Sequence, residues 1–117
     1  MEALDRSVAI VTGKPAFLEW INRVDTEAGD EGPVTFEEMN EEPMVILLPE
    51  FETLDDGMKN LQKMKPLIFE YMMEAWWTDD ADWIQDTSSQ NFDRHFNVVL
   101  SSVAVDFVPG PIEKEEL

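Results

Sequence analysis

The chain contains one histidine, His95, and no cysteine. That excludes a multi-histidine metal site, a thiolate nucleophile, an iron–sulfur cluster and a cysteine zinc site. A triad built on His95 would need a serine in the sharp turn of a Gly-x-Ser-x-Gly elbow, and none is present. Ser101 and Ser102 fall inside the last apolar stretch, where small polar residues serve packing or the backbone, and His95 is expected at a helix–strand boundary. Val11-Thr12-Gly13-Lys14-Pro15 places Gly-Lys between a strand and a helix, as a phosphate-binding loop would. No earlier glycine completes the cradle, and Pro15 stands where Ser or Thr would hold magnesium. Asp79, Asp80, Asp82 and Asp86 are dense enough to suggest calcium, but an EF-hand frame begun at Asp80 puts Ile84 at position five and Gln85 at the glycine position. Glu70 and Glu74 are a carboxylate pair of the kind glycosidases use, yet helical neighbours on an acidic chain explain them as well. No catalytic residue, metal ligand or cofactor is assigned, and an enzyme relying on carboxylates alone ranks last among the functions considered.

The densest constellation is Tyr71-Met72-Met73-Glu74-Ala75-Trp76-Trp77-Thr78-Asp79-Asp80-Ala81-Asp82-Trp83, which holds three of the four tryptophans. Aromatic residues bury large area at low entropic cost and methionine adapts to varied partners, so Tyr71, Met73, Trp76, Trp77, Asp79, Asp80, Asp82 and Trp83 are the candidate partner-binding residues. Aromatics at helical spacing also fill cores, and both readings stay open.

Twenty-six acids against eight bases give a formal net charge of −18. Residues 25–42 hold eight of these acids and no base, whereas residues 1–24 hold three of each. Such a field repels phosphate backbones, so direct nucleic-acid binding is not expected, and a basic protein partner or simple solubility is what the charge leaves as its explanation. The 117 residues, 44% of them apolar, suit one domain, with an acidic loop over 26–42 and a frayed tail over 109–117. No apolar run is long enough for a membrane span, no signal-peptide pattern opens the chain, and cysteine is absent, so a cytoplasmic protein without membrane partners is expected.

The elements that would position these residues follow from periodicity. Arg6 to Val11 reads as a first strand, closed by Thr12 and Gly13. Pro15 opens a helix carrying Phe17, Trp20, Ile21 and Val24 on one face and ending near Asp25. Residues 26–42 form the loop, its tip the most mobile part, with one helical turn capped by Thr35. Met44 to Leu48, continuously apolar between Pro43 and Pro49, is expected to be the central strand, covered on both faces. Thr53 caps a further helix, which Pro66 should divide in two or bend sharply. The helix over Leu67 to Trp77 is apolar on both flanks. Ser88 or Ser89 caps a short helix, and the final strand, Asn97 to Val108, alternates Val99, Val103, Val105 and Phe107 against Val98, Leu100, Ala104 and Asp106. The expected class is α+β: a small three-stranded mixed sheet with three to four helices in the order β-α-β-α-α-(α)-β, whose strand–helix–strand start permits a right-handed parallel crossover between the first two strands and leaves the direction of the third open.

Pro15-Ala16-Phe17-Leu18-Glu19-Trp20, Leu47-Leu48-Pro49-Glu50-Phe51, Glu74-Ala75-Trp76-Trp77-Thr78-Asp79-Asp80-Ala81-Asp82-Trp83 and the stretch from Phe92 to Phe107 together resemble a group of small acidic bacterial proteins. Ile84 and Gln85 stand where that group has proline and arginine, and His95-Phe96 where it has Trp-Phe. The resemblance implies a stand-alone bacterial domain and no particular activity. The leading functional expectation is a non-enzymatic protein-binding or adaptor domain, with self-association as a homodimer through the Met/Trp-rich helix as one form of it. The alternative is an acidic mimic of nucleic acid that occupies a basic protein.

Overall fold

Alternation along Arg6–Gly13 turns Ser7, Ala9, Val11 and Gly13 into the protein and Val8, Ile10 and Thr12 to the other side, giving the eight-residue strand β2. The structure, a computed structural model, describes residues 1–25 and 32–117. The short strand β1, Glu2–Ala3, precedes β2, and helix α1, Pro15–Val24, follows it with Pro15 in its first turn. The first part of the expected acidic loop, with its tip, lies at residues 26–31, outside the described residues. The chain continues through α2 (Phe36–Met39), β3 (Met44–Pro49), α3 (Leu54–Glu74), a 3-10 turn (Asp80–Asp82), α4 (Ser89–His95), β4 (Phe96–Ser101) and β5 (Val105–Asp106).

The class is α+β, with a three-stranded sheet ordered β3-β2-β4. Both pairings are antiparallel, so the sheet is not mixed and the parallel crossover does not occur. Asn40 shows why. Its side chain accepts from Gly13 N at 2.8 Å and donates from Nδ2 to Gly13 O at 2.9 Å, pinning the chain just before β3 to the end of β2. The strand that follows can then only run back alongside.

β2, not Met44 to Leu48, is the central strand. β3 is an edge, and Val45 and Leu47 on it are 59% and 44% exposed. Among the described residues the helices pack on one face of the sheet, so the apolar run of β3 does not reflect burial on both sides. The final strand alternates as expected but divides into β4 and β5, because the Ser101 hydroxyl donates to Val103 O and accepts from Val103 N. β5 pairs with β1, extending the β2–β4 ribbon into a separate two-stranded piece. Four residues between Ala3 and Val8 face three between Ser101 and Val105, a one-residue bulge between the two registers. Ser7, fully buried near the bulge, donates to Ser102 O and accepts from Phe51 N, both at 3.0 Å.

α3 runs unbroken through Pro66 for 21 residues instead of dividing there. Pro66 and Gln62, whose carbonyl loses its helical partner, are both exposed, so water can replace the missing bond. Burial of Leu61 and Lys65 before the proline and of Ile68, Phe69, Met72 and Met73 after it holds both halves on the same core. Packing thus offsets a local cost of about 3 kcal/mol. The Lys65 ammonium, buried at the α3–α4 contact, donates to Asp93 Oδ1 at 2.9 Å and Ser89 Oγ at 3.0 Å and lies 5.5 Å from the centre of the Phe92 ring. Phe17, Phe69, Phe92 and Phe96 form the aromatic centre, with Phe17 and Phe92 4.7 and 5.0 Å from Phe96. His95 ends α4, its ring 5.2 Å from that of Phe69 and its Nδ1 2.7 Å from Asn91 O, to which it must donate. Among the described residues no helix is long and apolar enough to cross a membrane.

Candidate functional site

The Trp/Asp stretch is held by its own hydrogen bonds. Past the end of α3, Trp76 N and Trp77 N both return to Met73 O, which tightens the last turn. Trp83 Nε1 donates to Trp77 O at 2.7 Å, and Trp77 Nε1 to Asp82 Oδ2 at 3.1 Å. Trp20, buried in α1, donates to Asp82 O at 3.1 Å. Asp79 caps the 3-10 turn by accepting from Ala81 N, and Ile84 N points at the sulfur of Met73. The turn thus fastens the end of α3 to α1, and a buried indole N–H finds the partner it requires.

The candidate residues therefore divide. Met73 is fully buried, and Trp77 and Trp83 are half-buried against the core. Asp79 and Asp82 spend side-chain oxygens inside the turn, while Asp80 is exposed. Asp86 accepts from Ser88 N at 3.0 Å, and hydrogen bonds from Ser88, side chain before backbone, hold its carboxyl below its ordinary range. Among the described residues no three acidic or histidine side chains converge as metal ligands would. Tyr71 and Trp76 remain accessible, Trp76 at 36%. A shallow groove runs along one side of this stretch, where Glu70 and Asp80 face Met73 and Trp83.

The other side carries a groove of about 440 Å³ between α2 and the C-terminal end of α3, a volume in the range of ligand pockets. Met39 and Met72, both buried, form its floor with Met44, and Ala75 and Trp76 form one wall. Glu38, Glu41 and Glu42 line the opposite side, and among the described residues no basic side chain lines it. Three carboxylates beside three methionines and an accessible indole suit a ligand with a cationic edge and an apolar face: the carboxylates pair with Lys or Arg, and the thioethers adapt to the shape of the apolar part.

Two asparagines build the glutamate wall. Asn22 of α1 donates to Val34 O at 3.0 Å and accepts from Val34 N at 2.9 Å. Asn40 clamps Gly13 in the same two-bonded way at the other end of α2. Between them Thr35 Oγ1 accepts from Glu38 N and donates to Glu38 Oε1, both at 3.1 Å, an N-cap that supports the four-residue helix. The charge run contained Glu38, Glu41 and Glu42, but no local pattern in the sequence brings them beside Trp76. The two asparagines carried no signal either. Comparison with protein-family models, with curated proteins and with solved structures finds no match.

Proposed function

We propose that this chain is a protein-binding module, and that the groove between α2 and the end of α3 takes a basic, amphipathic segment of a partner protein. The observation that carries the reading is the groove's composition: Glu38, Glu41 and Glu42 face Met39, Met44, Met72 and Trp76, with no basic side chain among the lining residues. Trp76 is the anchor, because an indole 36% exposed at the mouth has apolar area left to bury. Each rim carboxylate adds about 0.2–1 kcal/mol when paired, which steers and orients the partner more than it tightens it. A nucleic-acid mimic would instead bind through charge spread over the surface and would not depend on Trp76. The absence of cysteine and the resemblance to small acidic bacterial proteins support a bacterial cytoplasmic setting for this binding.

The test is a titration with a Lys/Leu peptide patterned as an amphipathic helix, read by tryptophan fluorescence, beside a Lys/Gly peptide of equal charge. The amphipathic peptide should bind at least tenfold tighter, about 1.4 kcal/mol, and Trp76→Ala and Glu41→Lys/Glu42→Lys should each remove that advantage. Equal affinity for the two peptides, or binding unaltered by Trp76→Ala, would favour the charge mimic and overturn the groove.

A further inference from the structure

We infer that a second copy of this chain packs against the uncovered face of its sheet, forming a face-to-face two-fold dimer distinct from the groove. Helices cover one side of the β3-β2-β4 sheet, where Val11, Phe17, Phe69 and Phe96 make the core. The register directs Val8, Ile10, Val45, Leu47 and Val99 to the other side, where no described helix covers them: Val45, Leu47 and Val99 are exposed, and Val8 and Ile10, on the central strand, are half-buried. The same face continues along the ribbon through Val103, Val105 and Phe107, all exposed, with Val99 at 64% and Phe107 at 75%. A half-covered antiparallel sheet ordinarily shows water a polar face, whereas here the outward positions are apolar as well.

Charge and area identify the occupant. In a chain of net charge −18 this face has no acidic side chain among the outward positions of β2, β3 and β4, and its one charge, Arg6, is paired with Asp5 at 3.1 Å. A basic partner would find nothing here to pair with, whereas an identical neutral apolar face is self-complementary under a two-fold axis. Elsewhere two copies repel each other, so the acid-free face is where they can meet. Strand spacing and rise give the face a footprint on the order of 450 Å² per copy, so that two copies bury about 900 Å², the size of a weak, reversible interface. The two sheets would pack about 10 Å apart. The groove residues lie on the helix-covered side, so the dimer leaves both grooves open.

Sedimentation equilibrium of the full chain tests the proposal. At about 100 μM the protein should sediment at twice its 13.5 kDa, and the dimer should tighten as salt rises from about 0.05 to 0.5 M, because screening removes the repulsion between copies. Val99→Glu and Val45→Lys, both at exposed positions, should each weaken association at least about thirtyfold while circular dichroism and the melting of the monomer stay unchanged. Glu41→Lys/Glu42→Lys should leave the dimer intact, which separates this interface from the groove. A wild-type monomer at that concentration in high salt, including one that instead holds a foreign protein on this face, overturns the inference. So does a dimer that survives both sheet-face substitutions.

Discussion

Replacing Asn40 by alanine removes two hydrogen bonds at once, the 2.8 Å bond from Gly13 N and the 2.9 Å bond to Gly13 O. Gly13 is buried, so its amide and carbonyl would be left short of partners except where water enters past the half-buried site of residue 40. Each bond contributes about 1 kcal/mol net, and an orphaned buried group costs about 1–3 kcal/mol, so the loss should come to about 2–4 kcal/mol after partial hydration. Unfolding entropy near 2.1 cal/mol/K per residue converts this into a fall in Tm of about 8–16 °C for a chain of this length. Equilibrium urea unfolding measures it, with an unchanged m-value as evidence that the same surface unfolds. Amide exchange should accelerate first at Gly13 and at the end of α2. The variant should also weaken binding of the amphipathic peptide, although residue 40 does not line the groove. A stability loss below about 0.5 kcal/mol would refute the assignment of Asn40 as the clamp that sets the antiparallel return and holds the glutamate wall.

Asp93→Ala should destabilise more than Lys65→Met, by about 2 kcal/mol against less than about 1 kcal/mol, because the first leaves a buried ammonium with only Ser89 and the second replaces it with an apolar chain of similar length. Asp93 is itself 62% exposed, which keeps the loss below that for a fully buried pair; calorimetry showing the opposite order would contradict the account of the α3–α4 contact. Gly57→Ala should cost stability despite improving helix propensity, since the added Cβ would stand 2.7 to 2.9 Å from three atoms of the buried Phe51 ring. The net loss should be about 1 kcal/mol by urea unfolding, and Phe51→Leu in the same background should recover part of it. Carbon-detected NMR titration should give Asp86 a midpoint below its ordinary 3.8, moving upward in Ser88→Ala. Its folded value is lowered, so the stabilisation it contributes is complete above the unfolded value and disappears as pH falls through the folded one. A midpoint at or above 3.8 would remove the Ser88 bonds as a cause.

Local order was legible where it repeats in the sequence. The spacing of Phe17, Trp20, Ile21 and Val24 marked α1, Thr35 marked the capped turn of α2, a run of β-branched residues marked β2, and alternation marked β4. What periodicity could not supply was the choice between equivalent faces. Val99, Val103 and Phe107 alternate with Val98, Leu100 and Ala104 with the same period whichever set is covered, and only the placement of α1, α3 and α4 decides that the first set faces outward. The apolar run of β3 was misleading for the same reason, since burial on both sides and an uncovered apolar face look alike in sequence. Pro66 was read from its local cost alone, without the contacts that hold both halves of α3. In the candidate site, the Trp-rich stretch was visible from composition but its division into an internal clasp and an accessible Trp76 was not. The wall opposite Trp76 depends on amide–backbone clamps between residues 27 apart for Asn40 and 12 apart for Asn22, which leave no periodic trace.

The most direct test of the binding account is a map of backbone amide shifts as the amphipathic Lys/Leu peptide is added to the labelled full chain. The account predicts shifts concentrated at Glu38 to Glu42, Met44 and Met72 to Trp76, following one saturating curve. Shifts that instead follow the acidic residues wherever they occur, or that gather on Val45, Leu47 and Val99 of the sheet face, would contradict it.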